Sequence, residues 1–228
     1  MGAVAAFIPA KMTSQRLPAK NMRHLGGRPL LYYSVRAAQL TEGIDRVVVS
    51  SEDREVLHYA AGIGAEALQR DAALASPEVR NIDVLRAWLE TTAELPELVV
   101  LLQPTHPFRL PSDLAAAVRE MTDEPQADSL LALAPHNHLV GTLAGGYFTS
   151  EAALSGAKAA GQQLYRNTGA FYILRSRTTI RAGTLLGQRI RGYRLPHPEI
   201  EVDVDREADL LYAEAILKAN SAMLAHFS

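Results

Sequence analysis

Short apolar runs alternate with longer amphipathic segments along the first half of the chain. The runs are AVAAFIPA (3–10), DRVVVSS (45–51), ALQR (67–70) and LVVLLQPT (98–105), and they are typical of strands buried on both faces of a sheet. The segments 28–40, 54–65 and 81–95 repeat apolar residues at helical spacing. Strands that alternate with helices in this way predict an α/β fold, a three-layer, doubly wound and mostly parallel sheet over residues 1 to about 135.

The pattern weakens between residues 134 and 166, which are rich in Gly, Ala, Ser and His. We expect an inserted lid, hairpin or dimer contact there. Periodicity returns in GAFYILRS (169–176), a predicted strand, and in residues 206–220, a predicted closing helix. Because we find no linker and no internal repeat, we predict a single domain over 1–228 with one insertion.

Composition narrows the possible functions. With 23 Lys and Arg against 25 Asp and Glu, the net charge is −2, which argues against general binding to nucleic acid or a membrane surface. The absence of cysteine excludes disulfides, thiolate catalysis and cysteine-ligated zinc. No apolar run approaches the roughly 20 residues of a membrane helix, and the start MGAVAAFIPA lacks the basic region of a signal peptide. We therefore expect a cytoplasmic protein in which any anion site is local.

A concentration of positive charge follows the first predicted strand. Lys11, Arg16 and Lys20 lie around small and hydroxyl residues, including Ala10 and Ser14, whose backbone amides suit an anion. Ligands of open α/β sheets bind beyond the carboxyl ends of the strands, so this loop is a candidate triphosphate site. It has neither the Walker A nor the dinucleotide glycine pattern, and a solvated basic loop is the alternative interpretation.

Polar residues also follow the strongest predicted strand. In LLQPTHPFR (101–109) they are Gln103, Thr105, His106 and Arg109. The neighbouring prolines fix the backbone, which favours recognition. His106 is either a base or a residue that only hydrogen-bonds. A second group, RNTGAFYI (166–173), offers Asn167 or Thr168 for hydrogen bonding beside Gly169, which permits close approach.

Three carboxylates alternate in EVDVD (201–205). A period of two places Glu201, Asp203 and Asp205 on one side of an extended segment. Like charges so close repel each other unless a cation lies between them, and Mg²⁺ prefers carboxylate and phosphate oxygens. The alternative is a polar surface in which Asp205 caps the last helix, and Asp205 could also serve both roles.

Ordered blocks of the sequence resemble one enzyme family. IPAKMTSQRLPAKN, LGGRPLLYYSVRAA, DRVVVSSED, LLQPTHPFR, GAFYI and EVDVDREADLLYAEAIL occur in the order of the CMP-sialic acid synthetases, or acylneuraminate cytidylyltransferases. This resemblance implies a sheet of the nucleotide-diphospho-sugar transferase type and transfer of CMP from CTP to the anomeric hydroxyl of a 2-keto-3-deoxy sugar acid. It also implies release of pyrophosphate, a requirement for Mg²⁺, and a homodimer in which residues 134–165 reach the partner.

The resemblance implies roles for individual residues. Lys20, Asp203 and Asp205 are expected to be catalytic, with the two aspartates holding the metal. The expected nucleotide-binding residues are Pro9, Ala10, Lys11, Ser14, Arg16, Lys20, Arg70 and Asn81. The expected sugar-binding residues are Gln103, Thr105, His106, Arg166, Thr168 and Tyr172.

The chain also departs from the family pattern. Lys11 stands for an arginine, which keeps the charge but loses the bidentate fork, and His106 stands for a serine. The lysine and arginine that bind the sugar carboxylate have no clear match; Arg166, Lys158 and His138 are the candidates to replace them. Two other hypotheses stay open: a nucleotidyltransferase of the same fold with GTP or another acidic acceptor, and a catalytically silent nucleotide-binding or scaffold homologue.

Overall fold

Strands and helices alternate along most of the chain, as the apolar pattern predicts. The computed structural model describes residues 2–136, 138, 140–144, 146–150, 156, 160–197 and 201–220. The strands are β1 (Val4–Pro9), β2 (His24–Leu25), β3 (Arg28–Pro29), β4 (Arg46–Ser51), β5 (Glu66–Gln69), β6 (Leu98–Leu101), β7 (Ser129–His136), β8 (Gly141–Ala144), β9 (Tyr147–Ser150), β10 (Leu164–Arg175) and β11 (Ile190–Arg194).

Helices flank this sheet on both faces. They are α1 (Leu30–Gln39), α2 (Arg54–Gly62), α3 (Asn81–Thr91), α4 (Pro111–Asp123) and α5 (Glu207–Ala219), with short 3-10 turns at Lys20–Met22 and Ala72–Ala75. Within the described ranges, no helix combines the length and the apolar character needed to cross a membrane.

The central sheet has seven strands in the order β11-β7-β10-β6-β1-β4-β5. Strand β1 pairs in parallel with β4 and β6, and β4 pairs in parallel with β5. Strand β10 runs antiparallel between β6 and β7, while β11 is parallel to β7. The predicted α/β fold with a mostly parallel sheet is therefore confirmed.

The central strands are apolar throughout because both faces of the sheet are covered. Ile8 and Val100 point into the core beneath α1 and α4, whereas Phe7 and Val99 point into a second core on the side of α3. Phe7 stacks on Trp88 of α3 with ring centroids 4.8 Å apart. Consecutive residues of one strand thus serve different layers, and the parallel strands end at one edge of the sheet.

The predicted insertion contains an antiparallel hairpin, β8–β9. Leu143 of β8 lies opposite Phe148 of β9, and their residues are 73% and 54% exposed. The two ends of the predicted segment 134–166 belong to β7 and β10 of the central sheet. Residues 137, 139, 145, 151–155 and 157–159 of this segment lie outside the described residues.

Candidate active site

The basic loop after β1 meets the carboxylate that precedes α5. Lys20 Nζ lies 2.6 Å from Asp205 Oδ1, and the Arg16 guanidinium lies 2.5 Å from Asp205 Oδ2. The lysine and aspartate are 185 positions apart in the chain. The two features predicted to form one site therefore lie in direct contact.

Helix α5 is held in place by the β2–β3 hairpin that follows the basic loop. Arg23 donates to both carboxylate oxygens of Glu207, at 2.7 and 2.9 Å. The amide of Gly26 donates to Glu214 Oε1 at 2.8 Å. Because the hairpin and Lys20 belong to the same stretch of chain, this docking fixes the distance between Lys20 and the start of α5.

The segment 201–205 has the predicted alternation, although residues 202–205 belong to no strand of the sheet. Val202 and Val204 are buried, whereas Asp203 is exposed and Glu201 and Asp205 are half-buried. The amide of Val204 donates to the carbonyl of Thr105 at 2.8 Å. This bond attaches the acidic segment to the loop after β6 and places Asp203 and Asp205 beside both loops.

Asp209, and not Asp205, caps α5. The amides of Asp205 and Arg206 both donate to Asp209 Oδ2, at 3.0 and 2.7 Å. The carboxylate of Asp205 instead contacts Lys20 and Arg16. The capping alternative for Asp205 is therefore wrong, and its carboxylate belongs to the charged cluster.

The electrostatics of this cluster favour an anionic Asp205. Burial by itself would raise the pKa of the Asp205 carboxyl, but the hydrogen bond and charge of Lys20, followed by the charge of Arg16, outweigh burial and lower the pKa. One carboxylate faces two cations, so the cluster keeps an excess of positive charge. An incoming anion would be attracted to it.

A cavity of about 110 Å³ opens beside Lys20 at the carboxyl edge of the sheet. It collects residues predicted to bind the nucleotide and residues predicted to bind the sugar. The predicted residues in its lining are Pro9, Lys11, Lys20, Arg70, Asn81, Gln103 and Thr105. Asn21, Leu74, Val79, Val84 and Pro104 line it as well. The strand-end rule thus brings separate loops to one cavity, whereas Arg166, Thr168 and Tyr172 are outside the lining that the described residues form.

Two other predicted nucleotide residues shape the basic loop from within. Ala10 is fully buried and its amide donates to the carbonyl of Ser50 at 2.9 Å. The hydroxyl of Ser14 accepts from the amide of Leu17 at 3.4 Å. Neither residue lines the cavity or adds a side-chain donor to it. Attraction of an anion to the cavity therefore depends on cationic lining residues such as Lys11 and Lys20.

Glu52 was missed by sequence reasoning and joins two strand-end loops. Its Oε2 accepts from the Arg70 guanidinium at 2.8 Å, and its Oε1 accepts from the amide of Met12 at 2.8 Å. The Arg70 side chain is almost completely buried. The sequence could have pointed to Glu52, because it is an acidic residue directly after the run VVVSS. Residues that follow the strands at this edge of the sheet are candidates for a ligand site.

Asn21 was also missed. Its side chain is buried and donates to the carbonyl of Lys11 at 2.8 Å. The preceding Ala19 adopts the left-handed region at φ 52°. Together they turn the backbone so that both ends of the basic loop return to the cavity. The sequence feature that could have pointed to Asn21 is its position directly after Lys20.

His106 is buried beneath the start of the β10 bulge. Its Nε2 lies 2.9 Å from the carbonyl of Thr168, which can only accept, so Nε2 carries the proton. Nδ1 then accepts from the Thr105 hydroxyl at 3.2 Å and lies 3.8 Å from Asp203 Oδ1. Burial lowers the pKa of His106 to about 4, and the opposing effect of Asp203 does not offset it. His106 is therefore neutral near pH 7.

A β-bulge in β10 covers His106. The register of β10 against β7 shifts between Asn167 and Tyr172. Gly169 lies there at φ 80°, and a Cβ at this position would lie 3.2 Å from His106 Cε1. The Thr168 hydroxyl donates to Ala132 and accepts from Ala170. The predicted close approach at Gly169 is thus made to a protein side chain.

The remaining predicted sugar residues have protein partners. Arg166 forms an ion pair with Glu201. Asn167 donates to the Tyr172 hydroxyl at 2.8 Å. Of the other candidates for the sugar carboxylate, His138 packs edge-on against His136, and Lys158 lies outside the described residues.

The chemistry of Asp203 and Asp205 fits magnesium. Both are hard oxygen donors, and a single buried residue, Val204, separates them in the chain. Magnesium commonly takes one or two carboxylates and completes its shell with substrate phosphates and water. The described residues contain no cluster of three or more His, Asp or Glu side chains placed to hold a metal by themselves. This donor set therefore suits a metal that arrives with a phosphate ligand.

The fold and this charged edge define a class of nucleotide-handling α/β proteins, and the comparisons identify the family. A family model described as cytidylyltransferase matches residues 5–226. The chain therefore belongs to the cytidylyltransferase family, and the resemblance found in the sequence blocks is confirmed at that level.

Three curated relatives show the range within this similarity. The chain is 34% identical over 120 residues to the CMP-N,N'-diacetyllegionaminic acid synthase of Legionella pneumophila, covering 50% of this chain and 51% of the relative. It is 31% identical over 118 residues to a 3-deoxy-manno-octulosonate cytidylyltransferase of Anaeromyxobacter dehalogenans, covering 52% and 47%. It is 32% identical over 116 residues to the N-acylneuraminate cytidylyltransferase of Escherichia coli O18:K1:H7, covering 51% and 27%. The matched part thus spans about half the length of these relatives, or less.

Two solved structures share the fold at low sequence identity. A CMP:2-keto-3-deoxy-manno-octonic acid synthetase in complex with CTP superimposes with a TM-score of 0.74 at 18% identity, covering 96% of this chain and 99% of that one. A 4-diphosphocytidyl-2C-methyl-D-erythritol synthase from Anaerococcus prevotii gives 0.70 at 10% identity, covering 95% and 96%. These likenesses show that the three chains share a fold.

Proposed function

We propose that this protein transfers CMP from CTP to the anomeric hydroxyl of a 2-keto-3-deoxy sugar acid in the cytoplasm and releases pyrophosphate. The observation that carries the proposal is the contact of Lys20 and Arg16 with Asp205 beside a cavity at the carboxyl edge of the sheet. Membership in the cytidylyltransferase family supports the nucleotide.

The basic loop would bind the triphosphate. Arg16 is well exposed, with 60% of its side chain accessible, so its ion pair can be exchanged for phosphate oxygens at little cost. Lys20 is less exposed, at 17%, and its ammonium is held closer to the cavity wall. Lys11 lines the same cavity. This graded exposure suits an arginine that captures the anion and a lysine that acts on the reacting phosphate.

The reaction follows from this charge distribution. The sugar hydroxyl attacks the α-phosphorus, a new P–O bond forms, and the bond to the departing pyrophosphate breaks in line. Negative charge increases on the leaving oxygen as the bond breaks, so a fixed cation stabilises the transition state more than the bound substrate. Lys20 is the candidate for this role because it lines the cavity and only 17% of its side chain is exposed.

Magnesium would be held by Asp203 and Asp205. When bound, it would supply neutralisation of charge on the phosphate oxygens. Asp205 would then exchange its contact with Lys20 for the metal, which leaves the ammonium available to the nucleotide. Asp203 is exposed and the Asp205 side chain is 25% exposed, which supports this exchange.

The acidic sugar would lie on the side of Gln103 and Thr105, which line the cavity next to the nucleotide residues. Arg166 would bind its carboxylate in place of Glu201, the anion that it contacts now. The relatives carry the names of legionaminic, octulosonic and neuraminic acids, and this supports the class of sugar acid.

We further propose a homodimer formed through the β8–β9 hairpin. Leu143 and Phe148 form an exposed apolar pair on it, and Val140 adds to this surface at 46% exposure. Sedimentation should give a dimer at micromolar concentration, and Phe148→Asp should give a monomer. A monomeric wild-type protein at that concentration would refute this part of the proposal.

The test of the activity is pyrophosphate release across a matrix of four nucleoside triphosphates and several ulosonic acids with Mg²⁺. We expect release with CTP and at least one acid, and release about a thousandfold slower with Asp205→Asn, which controls for contaminating enzymes. Release only with GTP or with another acceptor would support the same-fold alternative. If no triphosphate with Mg²⁺ gives turnover or raises the melting temperature, the silent homologue is supported instead.

A further inference from the structure

Arg109 is a buried cation without an ion pair. Its residue is 1% exposed, and it heads the fully buried side chains by volume. No carboxylate in the described part of the chain pairs with it. Burial lowers the pKa of Arg109 to about 9, so the guanidinium stays charged near pH 7. Burying an unpaired charge costs free energy, which points to a role that an apolar side chain would not fill.

The guanidinium bonds main-chain carbonyls from two separate segments. Arg109 Nη1 donates to the carbonyl of Gln103 at 2.8 Å and to the carbonyl of Ala170 at 2.9 Å, and Nη2 donates to the Ser34 hydroxyl on α1. Nε has no partner among the described residues. One nitrogen therefore joins the loop after β6 to the β10 bulge.

The first of these segments carries the proposed acceptor side of the cavity, since Gln103 and Thr105 line it, and the bulge packs against this segment. The side chain of Gln103 lies 3.5 Å from the carbonyl of Gly169 and 3.4 Å from Asn81 Nδ2. Both contacts are long for hydrogen bonds, whereas the two carbonyl bonds of Arg109 are short. The main chain at Gln103 is therefore held by Arg109 more firmly than the Gln103 side chain is held by its neighbours.

We propose that Arg109 is a positioning residue that sets the spacing between residues 103–106 and 168–170, and through it the acceptor pocket. This inference rests on the proposed function for the identity of the acceptor. Lysine cannot replace it, because a compact ammonium lacks the planar fork of donors that spans these acceptors.

A second arginine provides a matched control at the opposite end of β10. Arg175 is also mostly buried, and it donates to the carbonyls of Ala127 and Met121, both at 3.0 Å. It also pairs with Glu97. Arg175→Lys thus removes the same kind of arginine bond to main-chain carbonyls, at a position opposite the start of β6 and outside the cavity lining.

The experiment compares Arg109→Lys with Arg175→Lys. Both should lower the melting temperature. Only Arg109→Lys should raise the KM for the sugar acid, by about tenfold. In the same variant, the CTP concentration that gives half of the maximal rise in melting temperature should change by less than about twofold. An unchanged acceptor KM in Arg109→Lys, or an equal rise in Arg175→Lys, would overturn the proposal.

Two further measurements keep the proposal testable. If Arg109→Lys does not fold, Ser34→Ala is used instead, because it removes the bond between the guanidinium and α1. The KM for the sugar acid should then rise about threefold. An unchanged KM would count against the positioning role of Arg109. If the wild type has no activity, the proposed function fails, and hydrogen exchange is used instead. Amides of 103–106 and 168–170 should then lose protection in Arg109→Lys and keep it in Arg175→Lys, whereas equal protection in both variants would overturn the proposal.

Discussion

The basic loop and the β10 bulge use polar residues differently. In the basic loop, Arg16 and Lys20 are partly exposed and share one carboxylate. At the bulge, His106 and Thr168 are buried and bond to each other and to the main chain. An exposed ion pair is readily exchanged for a ligand, whereas a buried network is costly to open. The difference separates side chains placed to bind from side chains placed to hold a shape.

The largest effect should come from Asp205→Asn. The neutral amide cannot replace the carboxylate as the proposed metal ligand or balance Lys20 and Arg16, so we expect pyrophosphate release to fall about a thousandfold. Circular dichroism should show an intact fold, since Asp209 caps α5. Asp123→Asn, at the exposed end of α4, should retain full activity. Normal kinetics for Asp205→Asn would remove the carboxylate from the mechanism.

Lys20→Ala should have the next largest effect. One cation at a developing phosphate charge contributes about 3 kcal/mol, which corresponds to a loss of about a hundredfold in kcat. Lys218→Ala is the control, because Lys218 lies in the last turn of α5 away from the cavity. Steady-state rates close to wild type for Lys20→Ala would move the catalytic cation elsewhere.

Thr168→Val should change stability and not nucleotide binding. The valine leaves the carbonyl of Ala132 and the amide of Ala170 without their hydroxyl partner, at a cost of about 1–3 kcal/mol in the free energy of unfolding. Urea denaturation measures this loss, and Thr122→Val on α4 should cost about 0.5 kcal/mol or less. A raised KM for CTP would show that changes at the β10 bulge also affect the basic loop.

The smallest effects should come from the exposed pair Arg166 and Glu201. Either neutral variant should change the free energy of unfolding by about 1 kcal/mol or less. Their kinetics should differ in sign: Arg166→Gln raises the KM for the sugar acid because a cation is lost, and Glu201→Gln lowers it because Arg166 is freed. Changes in the same direction would exclude Arg166 as the carboxylate ligand.

Much of the sheet could be predicted because its central strands are buried on both faces. β1, β4 and β6 are nearly continuous apolar runs, and such runs mark parallel strands with little ambiguity. The direction of β10 could not be predicted, since an apolar run has no direction and no tight turn precedes it. Helix α4 was not assigned, although Leu114, Val118 and Met121 are buried at helical spacing.

The candidate site was predictable where it depended on strand ends and on the family resemblance. Lys20 and Asp205 were named from the sequence, and the structure brings them to 2.6 Å from each other, while their catalytic roles stay predictions. Glu52 was missed because its partners, Met12 and Arg70, lie on loops whose adjacency depends on the strand order. His106 was predicted as a sugar ligand, and its burial follows from a bulge at Gly169 that no local pattern announces.

The contact between Lys20 and Asp205 also makes this cluster depend on segments that are far apart in the chain. Its partners are separated by 185 positions, and α5 docks on the β2–β3 hairpin that follows Lys20. A chain that lacks residues 201–219 would keep the cations of the basic loop but not their carboxylate. The proposed nucleotide site is therefore complete only when α5 is in place.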